Sequence, residues 1–125
     1  MLMNYLLVAL GSAIGGMARY GTAQAVNSVW KEPFPLAIFL INVIGSFAIG
    51  AFAHWLTNTE DPSMQNNIKL ILMVGVCGGY TTFSTFSLET LSLLKSGQTL
   101  IALSYIAASV VLCVGAAALG YKLGG

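Results

Sequence analysis

Residues 78–87 read GGYTTFSTFS, and this stretch decides the architecture because it interrupts an apolar run with a glycine pair and then supplies hydroxyls and phenylalanines. Upstream, residues 68–76 are almost uniformly apolar; downstream, residues 88–94 are apolar apart from Glu89, Thr90 and Ser92. Two half-helices are expected to meet around the glycines at bilayer depth. Backbone that leaves a helix there is tolerated only where it is buried in protein or lines a watery cavity, because freed N–H and C=O groups cannot face lipid. A helix that restarts at that depth presents N–H donors and a positive dipole end, which makes the stretch a candidate ion site.

Composition places the rest of the chain in a membrane. Of 125 residues, 57% are hydrophobic and 7% charged, against roughly 25% charged in an ordinary soluble domain; mean hydropathy is +0.83. Each crossing takes about 20 apolar residues, so the length accommodates four. They are expected at residues 3–26, 36–56, 68–94 and 99–123, as one four-span domain over residues 1–125. The first has no basic leader and carries Arg19, so it reads as a retained span rather than a signal peptide. Pro33, Pro35 and Pro62 fall in the short connections, as helix boundaries should. Cys77 and Cys113 lie within spans and read as packing residues, not a disulfide framework. No ATP-binding loop or basic nucleic-acid patch occurs.

Lysine and arginine are nearly balanced across the four spans, with Lys69 and Lys122 on one side and Arg19, Lys31 and Lys95 on the other. The positive-inside bias is therefore weak. An antiparallel homodimer fits these charges, and so does a single topology set by slight bias or by a partner subunit. Small residues at or near four-residue spacing, Gly11 with Gly15, Gly75 with Gly79, and Gly115 or Ala116 with Gly120, mark places where helices can approach closely.

Few polar residues lie within the spans. Asn42, with Ser46 one turn later, is either interhelical glue or a pore donor. Tyr105, Ser109 and Cys113 form a mildly polar stripe on the last span, which suits either a narrow path or ordinary packing. Arg19 either snorkels to the interface or faces the bundle interior. His54, beside Trp55, reads as an interfacial anchor, and no second ligand at helical spacing makes it a metal site. If a helix restarts near Thr81 or Thr82, Phe83 and Phe86 share one row and the hydroxyls adjacent rows. The positive edges of aromatic rings can then meet an anion while hydroxyls donate to it.

Taken together, GGYTTFSTFSLET, Asn42 in LINVIGS and Arg19 in GGMARYG resemble the small fluoride channel family (Fluc, or CrcB) over the whole chain. The resemblance implies an all-α membrane protein of four transmembrane helices, the third broken near residues 78–82, assembled as an antiparallel, dual-topology homodimer in a bacterial inner or plasma membrane. It implies passive export of fluoride from the cytoplasm through two pores. It assigns Asn42, Phe83, Phe86, Ser84, Thr85, Ser87, Tyr105 and Ser109 to the pore, and Arg19 and Glu89 to its vestibule. It also implies a structural sodium ion (Na+) at the dimer centre, held by the backbone carbonyls of Gly78 and Thr81. Tyr80 and Cys113 depart from the family's usual leucine and variable small residue without touching these assignments. The alternative is a small multidrug-type proton-coupled exporter, which needs an intramembrane acid; Glu89 is the one candidate. A non-transporting packing protein would need neither the break nor the polar track.

Overall fold

Among the described residues, four helices are long and apolar enough to cross a membrane: Leu2–Val29, Leu36–Thr57, the interrupted Pro62–Lys95, and Thr99–Leu123. The computed structural model describes residues 1–124. Helix α1 (Leu2–Val29) ends where Trp30 turns extended, and α2 (Leu36–Thr57) begins directly after Pro35, whose ring cannot donate to a preceding turn.

The third span is a composite. Its first piece, α3 (Pro62–Ile68), is capped by Asp61, whose carboxylate accepts the Ser63 N–H at 3.0 Å, with Pro62 preset at the first helical position. A π-helical segment, π1 (Lys69–Cys77), follows, and the Gly78 N–H closes it by reaching back to the Met73 carbonyl. Then come a single turn, α4 (Gly78–Tyr80), and α5 (Phe83–Lys95). Helix α5 stops in a Schellman motif: Gln98 N–H donates to Leu93 C=O at 2.8 Å and Gly97 N–H to Leu94 C=O at 3.2 Å. Gly97 takes the required left-handed backbone, with φ 81°. Helix α6 (Thr99–Leu123) completes the fold.

Two crossings bring backbones together. Along α1 and π1, a Cβ on Gly11 would run into the Ile71 carbonyl and one on Gly15 into that of Val76. Along α2 and α6, a Cβ on Gly50 would meet the Ala117 carbonyl and one on Gly120 that of Phe47. Small residues permit such approach where apolar burial gives no drive between helices. The expected glycine pairs on α1 and the third span are therefore contacts within one chain. Gly115 is not part of either crossing, since nothing lies within 4 Å of the position its Cβ would take.

The break falls within the expected residues 78–82, at their downstream end, but its cause differs. Gly78 is helical (φ −62°, ψ −39°), and the chain leaves the helix only at Thr81 (ψ 159°) and Thr82 (φ −152°). Gly79 is needed for packing: a Cβ there would lie 2.7 Å from the Ser12 carbonyl oxygen of α1, whereas one on Gly78 would meet nothing closer than 3.7 Å. The third span also begins at Pro62 rather than 68, because the capped polar turn of α3 extends it. The remaining helices start or stop within three residues of their expected bounds.

Candidate functional site

Where the helix opens, side chains replace the missing backbone partners. Thr82 N–H donates to Asn42 Oδ1 at 2.9 Å, and Asn42 Nδ2 donates to the Thr82 carbonyl at 3.1 Å. One amide on α2 thus satisfies both backbone groups of the residue in the gap. Asn42 is interhelical glue in this geometry, and its second N–H is uncommitted by those two bonds.

On the downstream side, Thr82 caps α5. Its Oγ1 accepts the Thr85 N–H at 3.1 Å, bonds to Thr85 Oγ1 at 3.1 Å and lies 3.3 Å from Ser84 Oγ. Upstream, both the N–H and the hydroxyl of Thr81 donate to the Cys77 carbonyl, at 3.0 and 2.9 Å. These bonds have a consequence for two carbonyls. In a continuous helix Thr82 N–H would serve Gly78 and Thr85 N–H would serve Thr81; here they serve Asn42 and Thr82 Oγ1 instead.

A cavity of about 420 Å³ opens beside the break. Asn42, Ser46, Gly78, Thr81, Thr82, Phe83, Phe86, Ser109 and Cys113 line it, so α2, the third span and α6 all contribute. The Ser109 hydroxyl is buried there with no hydrogen-bond partner. The two phenylalanines form a tilted pair with centroids 5.4 Å apart, yet they are unequally placed: Phe86 is 9% exposed and Phe83 78%.

A second cavity, of about 520 Å³, lies between the α1–α2 connection and the far half of α5, with Phe34, Glu89, Ser92 and Gln98 in its wall. Tyr105 stands between the two. Fully buried, its ring meets Phe86 at 4.9 Å and Phe34 at 5.4 Å, and its hydroxyl donates to Glu89 Oε1 at 2.7 Å.

The structure therefore gathers Asn42, Phe83, Phe86, Ser109, Gly78 and Thr81 around one cavity and puts Glu89 in another, with Tyr105 joining them. Ser84, Thr85 and Ser87 line neither. Ser84 and Ser87 are exposed on the outer face of α5, and the Ser87 hydroxyl donates back to the Phe83 carbonyl at 2.9 Å. Arg19, half-buried on α1, also lies outside both cavities. Among the described residues no three His, Cys, Asp or Glu side chains come together as a candidate metal site. Both cysteines are free, and His54 packs edge-on against Tyr121 at 4.8 Å.

The sequence reading named Thr82 as a possible helix restart without its capping role, and it passed over Phe34. Thr82 is the hub of the break, and its position just before an amphipathic run is the signal of an N-cap. Phe34 lies in a proline-flanked connection with no periodicity to single it out.

Comparison with known proteins identifies the family. The family model described as CrcB-like protein, Camphor Resistance (CrcB), matches residues 6–121. Relatives named fluoride-specific ion channel FluC include one from Paramagnetospirillum magneticum, 43% identical over 120 residues that cover 96% of this chain and 94% of the relative. Another, from Thermus thermophilus, is 43% identical over 122 residues, covering 98% and 95%. A third, from Methylobacterium radiotolerans, is 43% identical over 116 residues, covering 93% and 80%. With the family model spanning residues 6–121 and the relatives 43% identical over more than nine-tenths of this chain, the protein belongs to the CrcB family.

Proposed function

We infer that this protein is a fluoride-selective channel that lets fluoride leave the cytoplasm passively. The observation that carries the reading is the cavity at the Thr81–Thr82 break, walled by an amide, hydroxyls and aromatic rings without a charged side chain, in a chain whose relatives are named fluoride-specific channels. Fluoride is small and strongly hydrated, so a selective path must replace its water with close, directional donors. Conduction also requires release, and neutral donors with ring edges hold an anion less tightly than a full charge does. The uncommitted Asn42 N–H and the unpartnered Ser109 hydroxyl are suited to donate. Phe83 and Phe86 supply ring edges, while Glu89 and Arg19 belong to the approaches. The exporter alternative gains no support: the relatives carry a channel name, and Glu89 accepts a hydrogen bond from Tyr105.

The working unit on this reading is an antiparallel, dual-topology homodimer in the bacterial inner or plasma membrane. Phe83, Ser84, Ser87 and Gly78 are exposed on a single chain. Exposed hydroxyls and bare backbone at membrane depth call for a protein partner rather than lipid. A second copy in the opposite orientation would cover this face and bring a second break to it, and the weak charge bias favours such insertion. Sodium fits the break. The Gly78 and Thr81 carbonyls have lost their helical donors, and neutral oxygens suit a hard monovalent cation. A bound sodium would supply a fixed positive charge there.

Purified protein in liposomes should release fluoride but not chloride down a gradient, and fluoride release should fall when sodium is exhaustively replaced by a much larger monovalent cation. No fluoride release from folded protein in sodium overturns the channel reading. Retained flux without sodium removes the ion alone. A cysteine in the 58–61 connection should be labelled from both membrane faces in comparable amounts, and one-sided labelling rejects dual topology.

A further inference from the structure

The last residue before the break is held in a way that its neighbours are not. Tyr80 ends the three-residue turn α4, which follows the π-helical segment and leads directly to the extended Thr81. A short turn on a π-helical base has little intrinsic rigidity, because hydrogen bonds outside the α pattern are poorer in geometry. Its backbone packs closely on α1 at Gly15 and Ser12, and the Tyr80 side chain adds two contacts of its own. The Tyr80 hydroxyl lies 3.1 Å from Thr22 Oγ1 on α1, 58 residues away in sequence. On the other side, the ring rests against α2: a Cβ on Gly45 would sit 3.4 Å from Tyr80 Cδ2.

The direction of the hydrogen bond follows from proton counting. A threonine hydroxyl has one proton, and Thr22 gives it to the Ala18 carbonyl at 2.9 Å. Tyr80 is therefore the donor and Thr22 the acceptor. At this depth a phenol O–H without a partner would be costly, so the contact is a constraint rather than a chance approach. It ties α1 to the residue from which the chain departs, while Asn42 of α2 ties down Thr82 two residues later.

We propose that Tyr80 is a positioning residue for the break, its hydroxyl tethering α4 to Thr22 so that Thr82 is presented to Asn42 and the Gly78 and Thr81 carbonyls keep their orientation. Tyr80 touches no permeating ion in this arrangement; it acts through the Asn42–Thr82 pair. Only the transport consequence of the tether rests on the channel reading. The positioning itself concerns backbone geometry.

Amide hydrogen exchange at residue resolution on the full-length protein tests it without reference to fluoride. In Y80F and in T22V the Thr82 amide should exchange about three- to tenfold faster, the range expected for losing one net hydrogen bond. T22S keeps the acceptor and should behave as the parent, and the double variant Y80F/T22V should be no faster than either single. Amides at the α2–α6 crossing around Gly50 and Gly120 should not change. Parent-like exchange in Y80F, additivity in the double variant, or equal acceleration at the α2–α6 crossing would each overturn the proposal. Fluoride efflux forms a second arm: Y80F should be slower than the parent, and T22S should match it. A parent that moves no fluoride sinks the channel reading while the exchange data still decide the tether. Faster exchange with full fluoride efflux in Y80F overturns the tether's role in conduction.

Discussion

The two glycine crossings and the region around α5 solve opposite problems with the same short chain. Along α1–π1 and α2–α6 the backbones approach so closely that no side chain fits between them at Gly11, Gly15, Gly50 or Gly120. Around α5, contact is made by larger side chains, Ile38, Ile41, Phe86, Leu93 and Tyr105, and space is left on either side of them. The contrast teaches that the open region depends on the closed ones. A helix interrupted at Thr81–Thr82 has lost its own continuity, and what fixes its two halves is the clamping of π1 and α4 by α1 and of Thr82 by α2.

The harshest way to break this comparison is to force a side chain into a closed crossing. Gly50→Val should prevent stable folding, because its Cβ collides with the Ala117 main chain rather than with a movable side chain, at a cost of about 3 kcal/mol or more. Gly115→Ala, with open space around it, should be tolerated. Yield of monodisperse protein and thermal unfolding would distinguish the two, and equal behaviour would show that close approach is not what the glycines provide.

Asn42→Leu strikes the joint between closed and open regions. It leaves the Thr82 N–H and C=O without their partners, at about 1–3 kcal/mol for each unsatisfied group, and should abolish fluoride flux. Asn42→Asp keeps an acceptor for the Thr82 N–H but sets an oxygen against the Thr82 carbonyl, so flux should also fall, with less loss of stability. Thermal unfolding and liposome efflux, measured on both variants, check the ranking. A leucine variant as stable as the parent would remove Asn42 from the joint.

Within the open region the two phenylalanines sharpen the contrast. Phe86→Ile should lower both stability and flux, since Phe86 packs on buried Tyr105; Phe83→Ile should lower flux alone, because Phe83 contributes little burial to its own chain. Unchanged efflux in both would end the ring-edge account of anion passage. The smallest effect is expected at the end of α5. Gly97→Ala, forced to φ 81°, should cost about 1 kcal/mol in thermal unfolding and leave ion selectivity unchanged.

Much of this arrangement was readable before any coordinates. Each span is an apolar run of membrane length bounded by proline, glycine or polar residues, and Asn42 stands out as a lone amide in LAIFLINVIGSF. The break itself was legible, but its cause was not. Glycine is both the residue that permits irregular backbone and the one that permits close packing, and nothing within GGYTTFSTFS says which use applies until α1 is seen against Gly79. The π-helical winding of residues 69–77 was equally hidden, because an apolar stretch has no polar stripe from which to read its period. The Tyr105–Glu89 bond joins residues on different helices, and pairing across helices leaves no mark on local pattern.

The aromatic contact between the two cavities carries a consequence for the energy economy of a membrane. An unbroken file of water across a bilayer relays protons from one molecule to the next and would discharge the gradient a cell maintains. Here Tyr105 stands between Phe86 in the wall of one cavity and Phe34 in the wall of the other, with centroid separations of 4.9 and 5.4 Å. On the channel reading, rings packed at that spacing would act as a dry septum in which water could not form a continuous chain. The expected outcome is a membrane tight to hydrogen ions even with the protein present in quantity. Tyr105→Ala should open a leak, visible as faster collapse of an imposed pH difference in dye-loaded liposomes.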